Sequence, residues 1–415
     1  MMMSQFFAKY FKIKTDGDKF KIEPVWKKIE KIPEFAILKT CKQNPKWHAE
    51  GNAFIHTQCV VNAAIEFIEN CFYNSRPTEF VQTLILAALF HDIGKGVTTF
   101  EKNGVWHSYG HEIEGEKITR KLLWDEGWAF RENVCALVRL HMEPLNWFNM
   151  NGGILEKLAE TEKIFSNLRA DSLLKLDITD LINLKIWDVM GSKQENAESK
   201  ENDLNNLCKL RNLCHGMFCN NDINADAYDF ILNKEFKCEN KKPLTVVTLI
   251  GLPGAGKDTF LSSLVQTDSP FVYVRYDGCL KCATAYTPDN VAILCRDEIR
   301  IELGFCKEGE KIVGTSKQEQ EVTKVFNERL LDAARNGKVI ILNNINLKAK
   351  YREETLRYLS GYKVNSIYFY IEADSLNKNK NRRENQIPDE VFDNMIMNFE
   401  WPKPSEYNEF YKITT

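Results

Sequence analysis

The sequence predicts two domains of different fold class, an all-α helical bundle followed by an α/β domain with a mostly parallel sheet. The chain has 415 residues, whereas a single hydrophobic core stops growing at roughly 250–300 residues. Apolar residues recur at three- and four-residue spacing in the first half, and short β-rich runs alternate with helical segments in the second. The spacing of apolar residues along the chain changes from a helical to a β-strand pattern after Pro243. We therefore predict domains over residues 1–240 and 241–415.

Composition and charge exclude several classes of protein. The chain is 44% hydrophobic and 27% charged, as globular domains are. With 55 basic and 58 acidic residues the formal net charge is −3, so any nucleic acid must be held by local basic clusters rather than by bulk charge. The longest strictly apolar run, residues 84–90, is far shorter than the ~20 residues that span a bilayer. We expect a cytoplasmic protein without a membrane segment or a secretion signal.

The 12 cysteines are scattered, and we expect them to be thiols. Cys279 and Cys282 form an isolated pair. Cys208, Cys214, His215 and Cys219 lack the two-pair spacing of a zinc finger. Neither group is predicted to bind zinc.

Five amphipathic segments predict the helices of the first domain. They occupy residues 60–67, 80–90, 134–140, 168–176 and 181–190. Residues 191–203 are polar and charged, and residues 238–243 form a second polar segment that ends in proline, so both predict connections. Residues 204–237, between them, are predicted to be helical.

The second domain begins with a β-rich run at residues 244–250, followed by a helical run at residues 258–265. Comparable β-rich runs recur at residues 291–294, 339–342 and 367–371, with helical segments such as residues 319–335 between them. This alternation predicts β-α repeats in a mostly parallel sheet. Residues 267–289 carry no recognisable motif.

Histidines concentrate in the first domain, where six of the seven precede residue 142. They stand with carboxylates in a spaced series: Trp47-His48-Ala49-Glu50-Gly51, His56-Thr57, His91-Asp92-Ile93-Gly94-Lys95-Gly96, Gly110-His111-Glu112, His141 and Asp188. Imidazole and carboxylate ligands from several helices can converge on a metal inside a bundle. A lone His-Asp pair can also be a hydrogen-bonded pair at a helix end, but here it has several spaced partners.

The series resembles the HD phosphohydrolase superfamily, and its form over residues 45–190 is similar to the HD domains attached to CCA-adding enzymes. The resemblance implies one divalent metal on His56, His91, Asp92 and Asp188, with His111 and His141 as candidate ligands of a second. It also implies that Lys95 faces the phosphate. Asp177 and Asp180 are alternatives to Asp188. Neutral imidazole suits Mn²⁺, Ni²⁺, Co²⁺ or Zn²⁺ better than Mg²⁺.

A glycine-rich segment follows the first predicted strand of the second domain and opens a helix, which is the setting of a phosphate-binding P-loop. We predict that it binds ATP with Mg²⁺ through Gly251, Gly254, Ala255, Gly256, Lys257, Asp258 and Thr259. Asp258 occupies the position of the usual Ser or Thr, although the spacing resembles the GKGT loops of adenylate-kinase-like enzymes. Either the Asp258 carboxylate takes over the metal contact, or Thr259 and water do so and Asp258 is peripheral. Electrostatic repulsion favours an Asp258 that points away from the phosphates.

Residues 295–304, after the strand predicted at 291–294, resemble the acceptor-site motif of phage-type polynucleotide 5′-hydroxyl kinases. The resemblance implies that Asp297 is the general base for the 5′-OH and that Arg300 grips a substrate phosphate. Residues 339–347 resemble the VIVDxTNL segment of that family, with Asn343 in place of the aspartate. Lys380, Arg382 and Arg383 resemble the lid of these kinases, in which arginines stabilise transition-state charge.

An HD domain followed by such a kinase resembles the bacterial HD-polynucleotide kinases. This resemblance implies a bifunctional enzyme that removes a 2′,3′-cyclic phosphate or 3′-phosphate from an RNA or DNA end and phosphorylates the 5′-OH, after which a nucleic-acid ligase seals the break. One alternative is a nucleotide phosphohydrolase fused to a small-molecule or nucleoside kinase. Another is a kinase regulated by a catalytically silent HD sensor domain.

Overall fold

The fold is taken from a computed structural model of the chain. It describes residues 3–16, 19–71, 78–147, 154–169, 176–215, 243–266, 269, 271–276, 279–307, 315–373, 379 and 387–415. The chain divides into two compact units, Met1–Glu235 and Phe236–Thr415. An all-α bundle followed by an α/β domain with a parallel sheet is confirmed as the fold class.

The first unit is mainly helical. Its helices are α1 (Gln5–Tyr10), α2 (Trp26–Ile29), α3 (Pro33–Ala36), α4 (Ala53–Cys71), α5 (Glu79–Phe90), α6 (Lys95–Thr98), α7 (His111–Leu122), α8 (Trp128–Leu140), α9 (Glu143–Asn146), α10 (Ile154–Arg169), α11 (Ile178–Gly191) and α12 (Ala197–Cys214). Two antiparallel hairpins accompany them, β1 (Phe11–Asp16) with β2 (Lys19–Pro24), and β3 (Phe100–Lys102) with β4 (Val105–His107).

Helix α5 is the centre of this unit. Every residue from Val81 to Phe90 is buried, so the helix is buried on all sides rather than amphipathic. The segment Glu79–Thr98 is long and apolar enough for a membrane span by length and composition, but 83% of its apolar window is buried inside the protein. A buried core helix has the same properties, so this segment is weak evidence of a span.

One sequence prediction for this unit was wrong, and another lies mostly outside the described residues. For the helix expected at residues 168–176, Leu168 belongs to the buried face of α10, which ends at Arg169, Leu176 lies outside a helix, and residues 170–175 are outside the described residues. The polar residues 191–203 were expected to be a connection, but α12 already begins at Ala197. Asn196 caps it by accepting hydrogen bonds from the backbone N–H groups of Glu198 and Ser199. Residues 197–203 of α12 are mostly polar and exposed or half-buried, so the hydrophobic pattern missed them, whereas residues 204–214 fall within the stretch that was predicted to be helical.

The second unit is built on a five-stranded parallel sheet in the order β11-β10-β5-β9-β8. The strands are β5 (Leu244–Ile250), β8 (Val291–Leu294), β9 (Val339–Asn343), β10 (Val364–Glu372) and β11 (Glu409–Thr414). The helices are α13 (Lys257–Leu264), α14 (Arg296–Glu302), α15 (Ser316–Arg335), α16 (Ala349–Tyr358) and α17 (Asp389–Met397). Because all the strands are parallel, their carboxyl ends meet at one edge, where α/β proteins bind ligands.

Alternate side chains of the central strand β5 point to opposite faces of the sheet. Val247 and Leu249 pack with Phe260 and Leu264 of α13 on one face. On the other face Val246 packs with α15 through residues that include Phe326 and Leu330. The glycine-rich segment therefore follows a strand that is fixed from both sides.

Residues 267–289, which carry no recognisable motif, contain an antiparallel hairpin of β6 (Phe271–Tyr276) and β7 (Cys279–Thr284). Cys279 and Cys282 lie on β7, but their side chains are outside the described residues. Cys208 is exposed on α12 and Cys214 is buried. Among the described residues, no group of side chains that is close enough together to bind a metal ion includes Cys208 or Cys214.

Candidate active sites

The first candidate site lies where α5 ends. His91 is the C-cap residue of this helix, and Asp92 follows it directly. Both are buried because α5 runs through the core. Helices α4 and α11 bring His56 and Asp188 to the same place.

Four of the predicted ligands form one cluster. Nε2 of His56 lies 2.9 Å from Oδ1 of Asp188 and 3.6 Å from Oδ2 of Asp92. Nε2 of His91 lies 3.3 Å from Oδ2 of Asp92 and 3.7 Å from Oδ1 of Asp188. His56, His91 and Asp92 offer ligand atoms within 4.8 Å of one another, close enough to share one ion, and Asp188 contacts both imidazoles.

A second cluster uses the other oxygen of Asp92. Nε2 of His111 lies 3.3 Å from Oδ1 of Asp92 and 3.2 Å from Nε2 of His141. Nε2 of His141 lies 3.8 Å from the same oxygen. Asp92 is thus placed between two sets of imidazoles with one carboxylate oxygen toward each, an arrangement that can hold two ions.

The tautomers of three imidazoles are set by the backbone. Nδ1 of His91, His111 and His141 lies 2.7–2.8 Å from the carbonyl oxygen three residues earlier. A carbonyl oxygen can only accept, so each Nδ1 carries the proton and each Nε2 is free to ligate a metal. Nε2 of His91 is buried and makes no hydrogen bond. A metal fits this donor set, since it would satisfy that buried nitrogen.

Two lysines neutralise the carboxylates. Lys95 lies 2.6 Å from Oδ2 of Asp92 and donates to Oε1 of Gln43 at 2.8 Å. Lys185 lies 2.6 Å from Oδ2 of Asp188. Burial by itself would raise the pKa of both aspartates, but the neighbouring lysines and histidines hold the pKa of each well below its usual range.

His56 differs from the other three imidazoles because it contacts carboxylates on both sides. Oε1 of Glu50 lies 2.8 Å from its Nδ1, and Asp188 lies against its Nε2. Burial would lower the pKa of His56, but Asp188 and Glu50 outweigh that effect and raise it to about 9. The same Glu50 oxygen lies 2.9 Å from Nδ1 of His48, whose pKa burial lowers to about 4. Glu50 is therefore a positioning residue that the motif contained but the sequence alone did not reveal.

The alternatives to Asp188 have structural roles. Asp177 caps the N-terminus of α11 by accepting from the backbone N–H of Thr179 at 2.7 Å. Asp180 completes the capping box by accepting from the backbone N–H of Asp177 at 3.0 Å.

The second candidate site is the loop between β5 and α13. Gly254 and Gly256 have φ angles of 76° and 89°, which favour glycine. A Cβ atom at Gly251 would overlap the carbonyl oxygen of Ile371, and one at Gly254 would overlap that of Asn379. Lys257 lies over the loop, with Nζ 3.0 Å from the carbonyl oxygens of Gly251 and Leu252. The loop opens α13, so backbone N–H groups are available at its N-terminus for an anion.

Residues of β9 and the turn after it brace this loop. Nδ2 of Asn346 donates to the carbonyl oxygen of Leu249 at 2.8 Å, and the backbone N–H of Gly251 donates to the carbonyl oxygen of Ile345 at 3.2 Å. Asn343, at the end of β9, donates from Nδ2 to Oδ1 of Asp258 at 2.9 Å. Sequence reasoning singled out both members of this last pair but did not connect them.

A cleft of about 760 Å³ borders the loop. Its lining includes Arg296, Asp297 and Arg300 from the predicted acceptor helix α14, together with Ile345 and Asn346 next to the loop. The lining also includes Glu319 of α15 and, from α16, Tyr351, Arg357 and Tyr358. The predicted general base thus faces a space large enough for a nucleotide.

Arg300 is bound to carboxylates in this cleft. Its Nε and Nη2 each donate to Glu319 at 2.8 Å, and its Nη1 donates to Oδ1 of Asp297 at 2.6 Å. Arg300 therefore fixes Asp297, and its predicted contact with a substrate phosphate stays a prediction. Lys380, Arg382 and Arg383 of the predicted lid lie outside the described residues.

Two families of known proteins match separate parts of the chain. Residues 55–180 match the HD domain family, and residues 246–402 match the AAA domain family. The helical unit thus contains the HD domain match and the α/β unit contains the AAA domain match.

Several curated proteins share a shorter stretch. The multifunctional CCA protein of Actinobacillus pleuropneumoniae serotype 5b (strain L20) is 39% identical over 91 residues, which are 22% of this chain and 20% of that protein. The multifunctional CCA protein of Pasteurella multocida (strain Pm70) is 36% identical over 91 residues with the same coverage. The chain thus spans about a fifth of the length of these relatives.

Two solved structures align with part of the chain. A gluconokinase from Sinorhizobium meliloti 1021 is 11% identical, with a TM-score of 0.25, over 42% of this chain and 84% of the kinase. Kti12 from Chaetomium thermophilum, solved with ADP-AlF3, is 12% identical, with a TM-score of 0.25, over 41% of this chain and 88% of Kti12.

Proposed function

We propose that this protein heals broken nucleic-acid ends. The HD domain removes a 2′,3′-cyclic phosphate or 3′-phosphate, and the kinase domain transfers the γ-phosphate of ATP to a 5′-OH, so that a ligase can seal the break. The observation that carries the proposal is the cleft beside the P-loop, which combines a carboxylate, arginines and exposed tyrosines. The resemblance of residues 45–190 to HD domains attached to CCA-adding enzymes also favours a nucleic-acid substrate.

The cleft suits the end of a polynucleotide better than a small polar acceptor. Tyr351 and Tyr358 are 55% and 51% exposed, and aromatic faces of this kind stack on bases. Arg296 and Arg357 line the same space, where guanidinium groups can pair with backbone phosphates. A small polyol needs neither feature.

In the kinase domain, the 5′-oxygen attacks the γ-phosphorus while the bond to the β-phosphate oxygen breaks and ADP leaves. Asp297 accepts the proton of the attacking hydroxyl. Lys257 and the backbone N–H groups of the loop bind the phosphates and offset their charge. Mg²⁺ bound with ATP supplies further neutralisation of the phosphate oxygens.

In the HD domain, water adds to phosphorus and the bond to the ribose oxygen breaks, which opens the cyclic phosphate or releases the 3′-phosphate. A divalent metal at this site would supply Lewis acidity toward the phosphate and would lower the pKa of water. The imidazole clusters on either side of Asp92 would hold it. Lys95, beside Asp92, offers a positive charge to the phosphoryl group.

The test is a short RNA with a 5′-OH and a 2′,3′-cyclic phosphate, incubated with ATP and either Mg²⁺ or Mn²⁺. We expect both ends to change, and we expect the imidazole-rich site to favour Mn²⁺, Co²⁺, Ni²⁺ or Zn²⁺ over Mg²⁺. Phosphorylation of nucleosides or gluconate but not of the RNA would support a small-molecule kinase instead. A 3′-end that stays unprocessed with every metal would support a sensor role for the HD domain.

A further inference from the structure

Two positions of the kinase domain depart from its sequence motifs, and the structure places them against each other. The P-loop carries Asp258 where a hydroxyl residue is usual, and β9 ends in Asn343 where an aspartate is usual. Nδ2 of Asn343 donates to Oδ1 of Asp258 at 2.9 Å, although 85 residues separate the two. A carboxylate can only accept, so the amide nitrogen must face it.

The sheet explains why these residues meet. Strands β5 and β9 are parallel neighbours, and Leu249 near the end of β5 pairs with Asn343 at the end of β9. The P-loop follows β5, and Asp258 lies in the first turn of α13. The end of β9 therefore lies beside the start of the helix that the loop opens.

The remaining features of Asp258 suit a metal ligand. Its side chain is exposed, whereas Asn343 is 8% exposed and is fixed beside it. Within the described chain Oδ2 of Asp258 has no hydrogen-bond partner, so one oxygen is held by Asn343 and the other is available. Oxygen ligands of this kind are what Mg²⁺ prefers.

We propose that Asp258 and Asn343 have exchanged roles, so that the P-loop carboxylate supplies the oxygen for the nucleotide's Mg²⁺ and the strand amide positions it. The exchange keeps one carboxylate in the pair. An aspartate at both positions would place two negative charges together near the phosphates, which is costly unless a cation lies between them. If neither position carried a carboxylate, Mg²⁺ would lack this ligand.

The test uses isosteric substitutions in the full chain. Asp258→Asn removes the carboxylate, Asn343→Asp adds a second one, and Asp258→Asn with Asn343→Asp moves it to the strand. ADP affinity is measured by calorimetry in EDTA and in saturating Mg²⁺, and the ratio of the two dissociation constants gives the dependence on metal. Asp289→Asn, in an exposed turn of the same unit, is the charge control. Thermal unfolding shows whether each variant is folded.

We expect the dependence on Mg²⁺ to follow the number of carboxylates in the pair. It should fall by about tenfold or more in Asp258→Asn, which corresponds to roughly 1.4 kcal/mol, and should rise in Asn343→Asp. The double variant should return to within about threefold of wild type, a coupling that independent sites would not show. Asp289→Asn should match wild type.

A folded Asp258→Asn variant with wild-type dependence on Mg²⁺ would overturn the proposal, because Thr259 and water would then suffice. A double variant whose ADP affinity depends on Mg²⁺ as little as that of Asp258→Asn would also overturn the proposal. The inference rests on the proposed kinase function only in requiring that the loop binds a Mg²⁺-nucleotide. Because the assay contains no acceptor, failure to phosphorylate a polynucleotide would not affect it.

Discussion

Charge at the centre of the HD domain is balanced residue by residue by the protein's own side chains. Lys95 faces Asp92, Lys185 faces Asp188, and His56 lies between Glu50 and Asp188. Each carboxylate that could ligate a metal is therefore already paired with a cation. A divalent ion must replace some of these contacts when it binds, which couples metal binding to protonation.

The coupling predicts proton release at His56. Its pKa of about 9 means that it is protonated on both nitrogens at pH 7.5, whereas a ligand must be neutral. Binding of an ion ligated by His56 should release about one proton, and the affinity for that ion should rise by up to about tenfold per pH unit and level off above pH 9. His48, with a pKa of about 4, is already neutral and should not contribute. Calorimetry with Mn²⁺ in buffers of different ionisation enthalpy measures the protons released, and a value of zero at pH 7.5 would contradict the assignment.

A second prediction at this scale concerns Glu50, which orients His56 without being a ligand itself. Glu50→Gln keeps the size of the side chain but removes its charge. We expect Mn²⁺ affinity to fall by about 10- to 100-fold, as when other partners of metal-binding histidines are lost. Glu66→Gln, at an exposed position on α4, the helix that carries His56, is the control. Equal Mn²⁺ affinities for the two variants would show that Glu50 does not position the imidazole.

Three imidazoles of the HD domain lie at helix termini. His91 and His141 are the C-cap residues of α5 and α8, and His111 is the first residue of α7. Carbonyl oxygens near a helix C-terminus lack partners within the helix, so they are free to accept from Nδ1. The site thus depends on how closely these helix ends approach one another.

Gly94 allows the turn before α6 to lie close against the start of α7. A Cβ atom there would overlap the carbonyl oxygen of His111 and lie 2.5 Å from the backbone nitrogen of Gly115. Gly94→Ala should therefore destabilise the HD domain by about 1–3 kcal/mol and weaken Mn²⁺ binding by moving His111 away from Asp92. Denaturant unfolding and Mn²⁺ titration measure the two effects. Gly127→Ala is the control because nothing lies within 4 Å of its Cβ position, and similar losses in both variants would refute this explanation.

At the scale of the whole molecule, the two sets of functional residues lie in different compact units, Met1–Glu235 and Phe236–Thr415. The HD clusters draw all their ligands from the first unit. The P-loop and the cleft draw their residues from the second. This division suggests that each activity depends on the residues of its own unit.

We therefore expect the two activities to be separable by mutation. His91→Ala with Asp92→Ala should lower 3′-end processing by at least about a hundredfold and leave the kinase within about twofold. Lys257→Ala and Asp297→Ala should each have the reverse effect. Initial rates at the two ends of the same RNA give both values. Loss of both activities in any one folded variant would be inconsistent with two independent sites.

The sequence by itself determined the fold class, the P-loop and the residues of the HD series. These signals are local because each consists of consecutive residues. One is a glycine-rich turn between a strand and a helix, and the other is a histidine beside an aspartate after an apolar helix. Local patterns also failed in places. The hairpin β6–β7, which forms a separate two-stranded sheet, and the edge strand β11 were not predicted, although β6 is rich in the aromatic and β-branched residues typical of strands.

Only the tertiary structure decided which residues act together. It showed that Asp188 contacts the imidazole cluster, whereas Asp177 and Asp180 cap a helix. It also placed Glu50 against His56 and Asp258 against Asn343. Such pairs join positions far apart in sequence, and their distances depend on the packing of helices and the register of parallel strands rather than on any local propensity. A single sequence states which side chains are present, but the fold fixes which of their atoms are within reach of one another.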